Sequence, residues 1–147
     1  MVRRIHHLDF VVRDLEQATE KYRLILGQEP LGRESLPERG IDLVRFRVGD
    51  TWLILVQPTR DDSPVMDFMR RHGEGFFHIA YEVEGVETVG RSLEAEGIGV
   101  VNEAPRRGVE GWKLVDLEMA DTLGVMTQLV EPVERSDRGA ERSDRGE

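Results

Sequence analysis

Two segments of the chain share one pattern of apolar and polar positions. Residues 7–16 read His7-Leu-Asp-Phe-Val-Val-Arg-Asp-Leu-Glu16, and residues 78–87 read His78-Ile-Ala-Tyr-Glu-Val-Glu-Gly-Val-Glu87. Histidine, valine and glutamate recur at matching places, and the apolar positions coincide. After the first segment Leu15, Ala18, Tyr22 and Leu26 fall at helical spacing, with Asp14 as the cap, Gln17 three residues on and Gly27 as the stop. After the second, Val86, Val89 and Leu93 form the stripe and Gly97 ends it. Each half then continues in strands. The reading is α+β: two copies of βαβββ, over residues of about 3–60 and 75–132.

The strands add register. Leu43–Val48 and Trp52–Gln57 flank Gly49-Asp50, a two-residue loop of hairpin type, which predicts Val48 facing Thr51. Pairing in step from there puts Leu43, Arg45, Arg47, Trp52, Ile54 and Val56 on one face. Val44, Phe46, Val48, Leu53 and Leu55 share the other, which is wholly apolar and is expected to pack on the helix. The mixed face suits a ligand wall. Strands over roughly Trp112–Glu118 and Gly124–Glu131 are expected to repeat the arrangement. Between the halves, residues 63–72 read as a short linking helix capped by Ser63, with Pro64 first and Gly73 as its stop. Its stripe of Val65, Phe68, Met69 and His72 reads as packing.

Composition narrows the classes. The 147 residues carry 39% hydrophobic and 33% charged residues, enough for one core of ordinary size. No run of about 18 apolar residues suggests a membrane span, and no signal-peptide pattern opens the chain. The absence of cysteine excludes disulfides, thiolate metal sites and cysteine nucleophiles, and a cytoplasmic location is the expectation. A net charge of −9 argues against nucleic-acid binding. Residues 1–133 are expected to form the single domain. Residues 134–147, a near-duplicated charged segment without large apolar side chains, are expected to be a disordered tail.

These segments resemble the vicinal oxygen chelate superfamily, which includes glyoxalases, extradiol dioxygenases and bleomycin-resistance proteins, and within it the methylmalonyl-CoA epimerase branch. Besides residues 7–16, the matching stretches are Leu36-Pro-Glu-Arg-Gly-Ile41, Asp62-Ser-Pro-Val-Met-Asp-Phe68, Gly73-Glu-Gly-Phe-Phe-His-Ile-Ala-Tyr-Glu-Val83, Asn102-Glu-Ala-Pro105 and Gly124-Val-Met-Thr-Gln-Leu-Val-Glu131. The resemblance implies two modules forming a cup-shaped, partly open β-barrel with helices outside. It implies a homodimer, and a small-molecule substrate that is anionic or an acyl-CoA. It also implies a divalent metal (cobalt, nickel, manganese or zinc) on His7 and His78, with Gln128 as a last-strand ligand. The fourth ligand position falls on Ile54, which cannot coordinate, so weak or absent metal is expected. Two imidazoles and an amide lack the anionic oxygen that a hard cation prefers. Asp9, on the same strand face as His7, is a substitute donor.

For chemistry, the resemblance places one acid/base group on Glu38. The second falls on Gln128, whose amide cannot carry a proton. Arg45, opposite Ile54, suits an anionic substrate group, with an ion pair to Asp116 as its alternative. Trp52, Ile54, Asp9 and Met126 complete the expected substrate contacts. His6 and His72 read as ordinary residues. Three readings stay open: an epimerase-like isomerase acting alpha to a thioester or other carbonyl; a metal-free binding or resistance-type protein; and an iron dioxygenase using Asp9 as its carboxylate.

Overall fold

The computed structural model describes residues 1–133; the expected tail, 134–147, lies outside the described residues. The chain divides into two compact units, one of Ile5–Ile79 and one of Met1–Arg4 with the described residues from Ala80 on. Each is α+β.

The first unit contains β1 (Val2–Val11, from Ile5), α1 (Leu15–Leu26), β2 (Glu34–Leu36), β3 (Ile41–Val48), β4 (Thr51–Pro58), α2 (Pro64–His72) and the start of β5 (Gly75–Val83). Its strand order is β2-β3-β4-β1-β5. β1 runs parallel to β4, while β2, β3 and β4 pair antiparallel. Gly49, at φ 59°, supplies the left-handed turn that the two-residue hairpin needs. The register follows as expected: Val48 faces Thr51, and Arg45 faces Ile54. On the apolar face Val44, Phe46 and Leu55 pack with Val12 and Leu15, and Phe10, Ala18, Tyr22, Leu26 and Leu53 surround them. Val48 departs from that set, being 39% exposed at the hairpin end.

Helix α1 starts where Asp14 accepts a hydrogen bond from the Gln17 amide at 3.0 Å, and it ends at Gly27 in the left-handed region. The Ser63 hydroxyl likewise caps α2, accepting from the Val65 amide at 3.2 Å.

The second unit contains the rest of β5, α3 (Val86–Ala95), β6 (Arg106–Arg107), β7 (Lys113–Asp116) and β8 (Thr127–Glu131), in the strand order β5-β8-β7-β6. Val83, Val86, Val115, Leu117 and Leu129 form its core, with Tyr81, Val89, Leu93, Ile98 and Val100 around them. The last two strands are shorter than the alternation suggests. A turn over Met119–Asp121 and positive φ at Leu123 and Gly124 take the chain out of extended geometry. Only the Leu117 amide continues the pairing, donating to the Thr127 carbonyl at 3.0 Å. Both halves thus carry βαβββ order. No helix among the described residues is long and apolar enough to cross a membrane.

Candidate active site

The mixed face of the first unit gathers most of the chemistry-bearing side chains. Alternation puts His7, Asp9 and Val11 of β1 on one side of the strand. The parallel register sets His7 beside Trp52 and Asp9 beside Ile54. Continuing outward, Trp52 faces Arg47 and Ile54 faces Arg45. β5 brings His78 to the other flank of β1, and the His7 and His78 ring centroids lie 5.5 Å apart. His7, Asp9 and His78 are all buried. Among the described residues their donor atoms form a group lying within 4.8 Å of one another.

Hydrogen bonds orient this cluster. An Asp9 oxygen, Oδ2, lies 3.0 Å from His78 Nε2, and Oδ1 lies 3.9 Å from His7 Nε2. The Nδ1 atoms of His6 and His7 approach to 2.9 Å. Burial pushes the Asp9 carboxyl up, but the charge and hydrogen bond of His78, with the charges of His7 and Arg39, outweigh it and hold Asp9 below the usual carboxylate range. Asp9 Oδ1 and His78 Nδ1 are buried with no hydrogen-bond partner among the described residues. A buried carboxylate oxygen in that position is suited to a cation, so the residues present fit a divalent metal.

Arg45 is buried and bonds Glu34 through two nitrogens, at 2.8 and 3.1 Å. Its expected alternative partner, Asp116, instead pairs with Arg106, also at 2.8 and 3.1 Å. The two pairs occupy equivalent places in the two halves with their charges exchanged between strands. Glu34 faces Leu43, two residues before Arg45; Arg106 faces Leu114, two residues before Asp116. The guanidinium carbons of Arg45 and Arg47 lie 4.7 and 4.8 Å from the Trp52 ring centroid. Glu38 is exposed on the turn Pro37–Arg39.

The second unit holds Gln128 and Met126. Gln128 is buried on β8 opposite Asp116, and its Nε2 donates to Asp116 Oδ1 at 2.9 Å. That bond aims Oε1 the other way, where it has no hydrogen-bond partner among the described residues. Burial raises the Asp116 carboxyl, but Arg106, Gln128 and Asn102 together hold it below the usual range. Met126 is half-buried just before β8.

The internal repeat settles which positions correspond. The Gln57 side chain points away from this face and accepts from the Leu15 amide, the first donor of α1, at 2.7 Å. In the other half, Glu131 accepts from the Val86 amide, the first donor of α3, at 3.1 Å. Counting back three residues from each cap gives Ile54 and Gln128 as equivalents. His6, Glu34 and Arg39 are contributors that sequence reading does not single out, and Arg47 is placed by it only on the mixed face of the hairpin. For His6 the local signal is its place next to His7 in the sequence.

The family model for the glyoxalase/bleomycin resistance protein/dioxygenase superfamily matches residues 6–115. Human mitochondrial methylmalonyl-CoA epimerase is 31% identical over 127 residues, covering 86% of this chain and 72% of the human protein. The uncharacterized Bacillus subtilis protein YqjC is 29% identical over 129 residues, covering 88% of this chain and 92% of its own. A variant of Streptomyces coelicolor methylmalonyl-CoA epimerase, solved with 2-nitronate-propionyl-CoA, superposes with a TM-score of 0.84 at 32% identity, covering 90% of this chain and 96% of that one. Paired βαβββ order, a histidine on the first strand of each repeat, and these matches place the chain in the glyoxalase/bleomycin resistance protein/dioxygenase superfamily, close to the methylmalonyl-CoA epimerases.

Proposed function

We propose that the chain is an isomerase that moves a proton at the carbon alpha to the thioester of an acyl-CoA, as the epimerases it resembles are named for doing. The observation that carries this reading is the buried His7–Asp9–His78 cluster, in a chain alike over nine-tenths of its length to an epimerase solved with a propionyl-CoA ligand. An α-proton leaves only if the negative charge appearing on the thioester oxygen is stabilised. A divalent ion such as cobalt, nickel, manganese or zinc, held by the His7 and His78 imidazoles, would supply that stabilisation as a Lewis acid.

Glu38 is the proposed base. It is an exposed carboxylate on the turn Pro37–Arg39, in the stretch Leu36–Ile41 that resembles the epimerases. In the forward step the Glu38 carboxylate takes the α-proton and the C–H electron pair becomes the enolate; in the return step the Glu38 carboxylic acid gives back that proton, or one exchanged with water, to the same face of the carbon, and water supplies the proton for the opposite face. The Gln128 amide donates a hydrogen bond but does not ionise, so it cannot transfer a proton to the opposite face, and return there is the slower route. Arg45 and Trp52 are the proposed contacts for an anionic acyl group, which would compete with Glu34 for the guanidinium. The stack of two guanidiniums on Trp52 also favours a second reading, a protein that binds an anionic ligand without turning it over.

Racemisation of single-isomer methylmalonyl-CoA, followed by chiral analysis of the acyl group, separates the two. The isomerase reading expects protein-dependent inversion that falls about 100-fold or more in Glu38→Gln. Binding of the thioester without inversion supports the second reading, and undiminished inversion in Glu38→Gln removes Glu38 as the base.

A further inference from the structure

We propose that Asp9 supplies the anionic oxygen donor that position 54 lacks, so that this chain holds a divalent cation through His7, Asp9 and His78, all on the adjacent strands β1 and β5. The inference rests on the metal-assisted reading of the site but not on the identity of the substrate.

Three observations carry it. First, the parallel register places Asp9 directly beside Ile54 on the neighbouring strand. The donor has moved sideways by one strand while staying on the same face, two residues from His7. Second, the spacing fits. Donor atoms about 2.0–2.3 Å from a shared ion stand roughly 3–4.5 Å from one another. The Asp9 oxygens lie 3.0 Å from His78 Nε2 and 3.9 Å from His7 Nε2. Third, the surroundings are those of a built site. Asp9 Oδ1 is buried without a hydrogen-bond partner among the described residues. The His6 ring against His7 Nδ1, at 2.9 Å, turns His7 Nε2 toward Asp9, the support that metal-binding imidazoles usually receive from a neighbour.

Two imidazoles and one carboxylate favour a borderline first-row ion over calcium or magnesium, which prefer all-oxygen sites. In the internal repeat the residue of β5 that corresponds to Asp9 is Ala80, so the carboxylate is a feature of the first copy and not of the second.

The test uses metal alone. The full chain, stripped with a chelator, is titrated with cobalt(II) and followed by visible absorption, and with manganese(II) followed by the resonance of the free ion. One equivalent is expected to bind. Asp9→Asn should weaken binding at least tenfold, and Asp9→Asn with Ile54→Glu should recover most of it by returning a carboxylate to the neighbouring strand. Circular dichroism checks each fold; if the asparagine variant does not fold, Asp9→Ser takes its place. Equal affinity in the parent and the Asp9 variants overturns the proposal, as does a parent that takes up neither ion. Either failure leaves the proton-transfer reading to its own assay, because α-proton exchange is measured without reference to Asp9.

Discussion

Gln57→Leu separates the two faces of β4. The parent side chain closes the first turn of α1 by accepting from the amide of the buried Leu15 at 2.7 Å. Leucine is close in volume but offers no acceptor, so the Leu15 N–H is left without a partner, while the Gln17 and Ala18 amides keep theirs on Asp14. A buried donor stranded in this way costs about 1–3 kcal/mol. The added apolar contact of leucine offsets part of that, leaving about 1–2 kcal/mol. Against a total stability of about 5–15 kcal/mol for a domain of this kind, the loss is readily measured. Gln57→Glu should run the other way. It copies Glu131 of the other half, and a carboxylate at a helix N-terminus adds about 0.3–1 kcal/mol. The assay is urea denaturation followed by tryptophan fluorescence and far-ultraviolet circular dichroism, where the midpoint should shift with an unchanged slope. Because Gln57 faces the helix, Gln57→Leu should leave cobalt(II) uptake as it is. Stability within 0.3 kcal/mol of the parent, or a loss of metal uptake, would refute the assignment of faces and with it the equivalence of Ile54 and Gln128.

Ile54→Glu places a carboxylate where the parent side chain is 2% exposed, opposite Arg45. Without metal the variant should be less stable by about 1–3 kcal/mol, visible as a lower melting temperature, and cobalt(II) should raise that temperature by more than it does in the parent. Asp42 reports on acid behaviour: its hydrogen bond from Ser35 at 2.6 Å and its contacts with Arg33 hold its carboxyl below the ordinary value of about 3.9. A lowered folded-state pKa contributes stability that is present above the unfolded value and disappears as pH falls through the folded one. The stability difference between the parent and Asp42→Asn should therefore be largest near neutrality and shrink below about pH 4, as read from urea midpoints across pH.

Much of this arrangement can be read from sequence because short-range rules determine it. A two-residue loop leaves one register for β3 and β4, and that register puts Arg45 opposite Ile54. The helix caps at Asp14 and Ser63 are local and appear as expected. What escapes sequence reading depends on partners distant in the chain. β2 has three residues and no alternation to speak of, so its register against β3, and with it the Glu34–Arg45 pair, is settled only by folding. The same holds for Arg106 and Asp116. The late start of β8 follows from positive φ at both Leu123 and Gly124, and leucine does not advertise such a conformation. Asp9 was visible as a carboxylate on the right face, but its contact with His78 depends on β5 lying beside β1.

Proton movement at the α-carbon of an acyl-CoA is the activity on which the other expectations for the site depend. The most direct measurement is the mass of methylmalonyl-CoA recovered after incubation with the protein in deuterium oxide. One deuterium should appear at the α-carbon in proportion to protein and time, faster than the centre inverts. No deuterium above the buffer control, even with protein and thioester at comparable concentrations, would contradict the claim.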